Sequence, residues 1–342
     1  MKNIIFAAVL SVIATTSVNA QGPLTPPGPP APTMLTLSQI EPRTPISSLP
    51  YTISIPGSYY VATNMTCTAC TNGQNGISIV AGNVTLDLKG FTLQGVAGSG
   101  SGVGTGVGLG NLAIYNGVID AWGQMGVAAP YVYNSQFERL RVSNSGATGL
   151  LTGSNCLMLV CTANGNGGQG INGGNNSAVK DCTANGNGGQ GIEVGNDSTV
   201  NACTANGNYG ASSFGIEVWN SCSVKDCTAS GNLVGGIEVQ GNDCLIAGNN
   251  CSTNGNITGT MAIGISVNGV RNRIDNNNAG NNAYGPSLVG GIGIFPNSVN
   301  VANSITRNSA PGNEIPYYNY AGNNDYAPTG TPATATSPWT NF

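Results

Sequence analysis

The chain has 342 residues, of which 52 are Gly, 40% are hydrophobic and 7% are charged, with a formal net charge of −4. It contains no His, which excludes imidazole acid–base chemistry, Ser–His and Cys–His nucleophilic pairs and His-ligated metals. Its 10 Lys and Arg residues are thinly spread along the sequence, with no cluster to neutralise phosphates, so nucleic acid is not an expected partner.

Residues 1–20 have the layout of a secretory signal peptide. Lys2 gives the positive start, residues 4–12 the apolar run, and Val18-Asn19-Ala20 the small-residue end, with cleavage expected after Ala20. The run is too short to anchor the chain across hydrocarbon. A mature chain with no membrane span, secreted or held at the cell surface, is therefore expected. Residues 21–50 are Pro-rich and suit an extended linker or strap, with one short helical turn at residues 35–40. Residues 51–75 read as strands capping an N-terminal end: Tyr51-Thr52-Ile53-Ser54-Ile55 alternates, turns at Pro56-Gly57 and resumes at Tyr59-Tyr60-Val61. A solenoid needs such a cap, because an open end exposes core and strand edges.

The stretch to residue 316 reads as coils, most regular between residues 156 and 256. Cys161-Thr162-Ala163-Asn164-Gly165-Asn166 returns from Cys182, from Cys203, as Cys227-Thr228-Ala229-Ser230-Gly231-Asn232, and loosely as Cys251-Ser252-Thr253-Asn254-Gly255-Asn256. Gly170-Ile171, Gly191-Ile192-Glu193-Val194, Gly215-Ile216-Glu217-Val218 and Gly236-Ile237-Glu238-Val239 keep the same beat. A period of about 21 to 24 residues is that of a solenoid. Within one rung the apolar residues sit two apart, as Cys222/Val224, Cys227/Ala229 and Ile237/Val239, which is strand spacing. Asn/Gly pairs between them tolerate positive φ and turn the chain. These features predict an all-β fold, a single-stranded parallel β-helix solenoid of about ten rungs with N- and C-terminal caps. Asn166, Asn187, Asn208, Asn232 and Asn256 predict a stacked amide ladder at one corner. Residues 317–342 lose the pattern and read as a C-terminal cap and tail.

The phrase Asn83-Val84-Thr85-Leu86-Asp87-Leu88-Lys89-Gly90-Phe91 and the Cys-Thr-Ala-Asn-Gly-Asn rungs resemble right-handed parallel β-helix repeat proteins of the pectate-lyase-like superfamily. The lead-in at residues 44–50 and the ending at residues 333–339 resemble exported bacterial members without an assigned activity. The resemblance implies the right-handed fold over about residues 52–313; it does not transfer function, because one scaffold hosts many sites. Polygalacturonases of this superfamily use Asp, His and an Arg-x-Lys element, and its pectate lyases an acidic calcium cluster with a basic residue. Here His is missing and Arg271-Asn272-Arg273 is the nearest basic pair, so no cofactor is expected and calcium lacks an evident ligand set.

Cys161, Cys182, Cys203, Cys227 and Cys251 are read as one file, and Cys156, Cys222 and Cys244 as a second in which Ser177 and Ser198 stand in. Neighbouring rungs are close enough for disulfides, yet stacked thiols also make an ordinary small-residue core, which is the favoured reading. Cys67 and Cys70 flank Thr68-Ala69 in a loop and are the disulfide candidates.

The candidate site is the file Glu193, Glu217 and Glu238. With Ile192, Ile216 and Ile237 inward, these carboxylates stack on an outer face, where like charges raise one another's pKa or recruit a cation. Trp219 lies on the same face with Gln240 on the next rung, a strip suited to a polysaccharide or cell-surface glycan. Duplication of a rung also copies its Glu without selecting a function. The paired Lys180-Asp181 and Lys225-Asp226 read as solvated local bridges, and the single outward file Thr162, Thr183, Thr204 and Thr228 is too narrow for an ice-binding array. The favoured function is that of an exported protein with a structural, adhesive or glycan-binding role at the cell surface. The alternative is a polysaccharide lyase or glycoside hydrolase using the Glu file, at spacings such enzymes employ.

Overall fold

Three sharp corners set the shape of each rung. In the rung that begins at Leu150 they are single left-handed residues: Asn155 (φ 54°), Val160 (φ 53°) and Gly165 (φ 65°). The next rung turns at Asn176, Asp181 and Gly186, the following one at Asp197, Ala202 and Gly207. Asn, Asp and Gly suit this conformation. Val160 and Ala202 do not, and each costs about 1–2 kcal/mol there; Asn and Gly therefore do not mark every corner, and tertiary stacking holds the exceptions.

A computed structural model describes residues 41–255, 262–283, 291–296, 302–318, 325–326, 328–330, 337 and 340–341. The expected signal peptide, the helical turn at 35–40, most of the Pro-rich segment and Asn256 lie outside the described residues. Residues 43–342 form one compact unit. Among the described residues the fold is all-β, a parallel β-solenoid of about 10 turns. The strands form two main sheets. Sheet I runs from Thr44–Ile46 through Gly57–Val61, Val84–Asp87, Ala113–Asp120, Gln136–Ser143 and Leu157–Leu159 to Asp325–Tyr326. Sheet II runs from Tyr51–Ile53 through Ile77–Ile79, Ile192–Val194, Phe214–Val218 and Gly235–Val239 to Ile315–Tyr317. The third side narrows, in the regular rungs, to single parallel bridges between Thr162, Thr183, Thr204 and Thr228.

The register puts like on like. Ile192 pairs with Ile216, Ile216 with Ile237, and Ile237 with Ile265, and all four are fully buried. Each such side chain contributes roughly 1.5–3 kcal/mol of burial. Gly191 has to be Gly: a Cβ there would sit 2.6 Å from the amide nitrogen of Asn208.

Two boundaries differ from the sequence reading. Residues 51–75 are a rung rather than a separate cap, since Tyr51–Ile53 pairs with Ile77–Ile79 and Gly57–Val61 with Val84–Asp87. The stack even begins within the Pro-rich stretch, where Thr44–Ile46 pairs with Gly57–Val61. The reason is burial: Ile46, Ile53 and Val61 are fully buried and continue the inward files. At the other end, Asp325–Tyr326 pairs with Ser304–Thr306, so stacking also passes residue 316. The Cys67 and Cys70 sulfurs are bonded to each other.

The amide ladder runs Asn166, Asn187, Asn208, Asn232, Asn254 and Asn282, each side-chain amide donating to the next carbonyl oxygen at 2.9–3.1 Å. Its fifth member is thus Asn254. The same slip moves Cys251. Thr228 bridges Asn250, which aligns Cys251 with Ala229 and gives the Cys227 position to Asn249. Cys227 N donates to Asn249 Oδ1 at 2.9 Å, and a second ladder follows, Asn249 to Asn277 at 3.0 Å and Asn277 to Asn308 at 2.9 Å.

This exchange explains the cysteines. Eight are free and buried. Immediately after a left-handed corner the backbone N–H of Cys161 finds no carbonyl and donates to Cys182 Sγ at 3.3 Å. Cys203 N donates to Cys227 Sγ, Ser177 N to Ser198 Oγ and Cys222 N to Cys244 Sγ in the same way. The thiols of Cys161, Cys182, Cys203, Cys222, Cys227 and Cys244 in turn point at a carbonyl of the rung before, as Cys161 Sγ does at Phe137 O, 3.4 Å away. Cys, Ser and Asn therefore do one job, supplying an acceptor and a donor where buried backbone groups would be left orphaned.

Candidate functional site: the outer face of sheet II

The strands around Glu193, Glu217 and Glu238 alternate because Ile and Val fill the interior. The register then stacks the carboxylates directly, Glu193 on Glu217 and Glu217 on Glu238, at a rung spacing of about 4.8 Å. The file continues upward as Ser266 and Phe295 and downward as Asn172.

The carboxylates do not stand open to water as the alternation alone suggests. Glu217 is only 6% exposed, and Glu193 and Glu238 are half-buried. Amides roof the file. Gln190 Nε2 donates to Glu217 Oε2 at 2.6 Å, Gln169 Nε2 to Glu193 Oε2 at 3.0 Å, and Asn268 Nδ2 to Glu238 Oε1 at 3.0 Å. Asn268 Nδ2 also donates to Gln240 Oε1 at 3.0 Å, so Gln240 belongs to the same network.

Burial raises the Glu217 carboxyl above its usual range; the Glu193 charge adds to this, and the Gln190 and Gln240 amides oppose it. Glu238 is pushed up to about 7, first by burial and then by the Glu217 charge, against the Asn268 and Gln240 amides. Near neutral pH the Glu238 carboxyl is thus partly protonated, able to donate as well as to accept a hydrogen bond. Trp219, 43% exposed, lies two residues beyond Glu217 on the same face and offers an aromatic platform. Among the described residues no group of three or more His, Cys, Asp and Glu side chains is arranged to hold a metal ion.

The sequence reading brought Glu193, Glu217, Glu238, Trp219 and Gln240 to one face, and the fold places them there. It missed Gln169, Gln190 and Asn268. The signal for the first two lay in the recurring phrases Gly168-Gln169-Gly170-Ile171 and Gly189-Gln190-Gly191-Ile192, where Gln precedes each inward strand. Beside the file and continuing above it, a second apolar cluster, Phe214, Ile263, Ile292 and Phe295, is buried separately from the main core. No helix among the described residues is long and apolar enough to cross a membrane.

Residues 75–234 match the family model described as right handed beta helix region. No curated protein matches the chain in sequence. Among solved structures, the chain is similar to the A-module of the Azotobacter vinelandii mannuronan C-5 epimerase AlgE4, at 15% identity and a TM-score of 0.59, over 79% of this chain and 90% of that one. It is similar to the catalytic domain of a GH87 alpha-1,3-glucanase in complex with tetrasaccharides, at 15% identity and a TM-score of 0.51, over 86% of this chain and 61% of that one. It is also similar to a tailspike protein mutant of E. coli bacteriophage HK620 in complex with a pentasaccharide, at 16% identity and a TM-score of 0.50, over 83% and 58%. The chain spans about three fifths of the length of these last two. The likeness is one of fold: a right-handed parallel β-helix.

Proposed function

We propose that this right-handed β-helix protein is exported and binds a polysaccharide along the outer face of sheet II. The observation that carries the reading is the file of Glu193, Glu217 and Glu238, held in place by Gln169, Gln190 and Asn268 and bordered by the exposed ring of Trp219. Sugar hydroxyls both donate and accept, and a mixed carboxyl–amide row meets both needs. An aromatic face beside it covers the apolar C–H side of a sugar ring, a large contact at small entropic cost. The named neighbours support the ligand class: one is an epimerase of mannuronan, one a glucanase, one a tailspike holding a pentasaccharide. Binding needs no metal, so a chelator leaves it unchanged. Export is tested by sequencing the secreted protein, which then begins at Gln21.

The second reading is hydrolysis. It is favoured by Glu238, whose carboxyl is held near 7 as a general acid requires, one rung from Glu217 at a spacing near that of retaining glycosidases, about 5–5.5 Å. A glycan panel, with and without calcium, separates the two. Binding without new reducing ends or unsaturated products, weakened in Trp219→Ala, is the expected result. Turnover that vanishes in Glu217→Gln overturns it in favour of catalysis.

A further inference from the structure

A second site lies away from sheet II, at the corner that follows the sheet I strands of the early rungs. Asp87, Lys89, Asn116, Gly117, Arg139 and Arg141 line an open cleft of about 550 Å³, a size typical of small-molecule sites. Two extra residues build it. Asp87 pairs with Tyr115, and Thr92 with Val118, so the corner between them is two residues longer than the one above. Lys89 (φ 50°) and Gly90 (φ 82°) form that bulge with two successive left-handed residues, and Lys89 N donates to Asp87 Oδ1 at 2.8 Å. The bulge becomes a wall over Asn116 and Arg139 in the next two rungs.

The side chains are set rather than loose. Arg139 Nε donates to Asn116 Oδ1 at 2.7 Å and its guanidinium pairs with Glu138. Lys89 Nζ stands 4.2 Å from the centre of the Tyr60 ring, and Arg43 neutralises Asp87 at 2.8 Å. Arg141, exposed, occupies a position that the following rung gives to Thr162. Arg139 occupies a left-handed corner that the preceding rung gives to Asn116. A long basic residue at such a corner costs about 1–2 kcal/mol that Asn largely avoids. Arg43, Lys89, Arg139 and Arg141 gather four of the chain's 10 basic residues against two carboxylates, on a protein of net charge −4.

We infer that this cleft binds the carboxylate-bearing unit of an acidic oligosaccharide. Planar guanidinium groups at Arg139 and Arg141 suit a carboxylate fork. Asp87, Glu138 and Asn116 add acceptors among the cations, which would repel a bare polyphosphate but take hydrogen bonds from sugar hydroxyls. A smaller hollow of about 180 Å³, lined by Tyr115, Gln136 and Glu138, shares Arg139 with the cleft and extends it to an adjoining sugar unit. The inference stands apart from the sheet II reading, since it uses none of the same residues.

The test is calorimetric binding of a galacturonate tetrasaccharide, its neutral galactose counterpart and inorganic phosphate to the full chain. The native protein is expected to bind the uronate, at least 10-fold more tightly than either comparison ligand, with affinity falling as salt rises. Arg139→Asn with Arg141→Thr installs residues that adjacent rungs already use at these positions, so the fold is kept; thermal melting checks this. Uronate affinity is expected to drop at least 10-fold in that double variant, to drop less in Arg141→Lys, and to stay unchanged in Trp219→Ala. Equal binding by the folded double variant, phosphate binding as tight as uronate binding, no uronate binding by the native protein, or loss of uronate binding in Trp219→Ala would each overturn the inference.

Discussion

The rungs between residues 84 and 143 and those between 156 and 255 share one scaffold but use their surfaces differently. In the later rungs the repeat is more regular, strands of sheet I are three residues long, and the outward chemistry is copied upward as carboxylate, amide and Thr. In the earlier rungs two strands reach eight residues, one corner bulges at Lys89-Gly90, and charge collects in a cleft. Strict stacking favours long uniform files, because each side chain sits above its own kind; a departure from the period is what makes a concave site. The difference also divides stability from recognition. The later rungs depend on ladders that satisfy buried turn groups, whereas the earlier ones set a long basic side chain, Arg139, at a left-handed corner beside the cleft.

The largest expected effect breaks the ladder region. Asn208 accepts from Asn187 N and Nδ2 and donates to Ala184 O and Asn232 Oδ1, so Asn208→Leu orphans several buried groups at about 1–3 kcal/mol apiece. Denaturant unfolding should show a loss of at least 3 kcal/mol. No comparable loss is expected from Asn116→Ser in the earlier region, where the side chain is only half-buried.

A smaller effect sharpens what the cysteines do. Cys182→Ser keeps an acceptor for Cys161 N and should cost under about 1 kcal/mol, while the similarly sized Cys182→Ala removes it and should cost about 1–3 kcal/mol. Equal losses, read from the same unfolding curves, would mean the sulfur serves only as volume.

The smallest effect concerns pH. The folded-state pKa of Glu238 is raised to about 7, so its contribution to stability is fully present below the unfolded carboxylate pKa, about 4.3, and is lost as pH rises through 7. Glu238→Gln should therefore raise the melting midpoint by a few degrees at pH 8 and leave it nearly unchanged at pH 4.5. Asp275 runs the other way. Arg307 holds its carboxyl down at about 2, helped by Thr306 and Arg273 against burial, so its contribution is present above pH 4 and disappears only in strong acid.

Much of this was legible in the sequence. Period, sheet alternation, the Glu file and the Asn ladder all follow from words that recur at fixed intervals. The slip at Cys251 was not legible, because Asn249 and Cys227 do the same hydrogen-bonding work and Ser252-Thr253-Asn254 imitates the earlier phrase. The roofing of Glu217 was half hidden: Gln190 recurs in its own phrase, but only the coil pitch brings it beneath a carboxylate 27 residues away. The cleft left no signal, since Lys89, Asn116 and Arg139 sit in rungs with no shared words and become neighbours only through their common corner.

A glycan on sheet II would lie against Trp219 and the carboxyl file beside it, and tryptophan emission during a glycan titration reads that face directly. Trp219 is 43% exposed while Trp122 is buried at 1%, so a ligand on sheet II should shift the emission to the blue and saturate. In Trp219→Phe that shift should vanish, and in Gln190→Ala the affinity should fall several-fold. Saturable glycan binding that leaves the emission unmoved, with unchanged affinity in Trp219→Ala, would contradict the account.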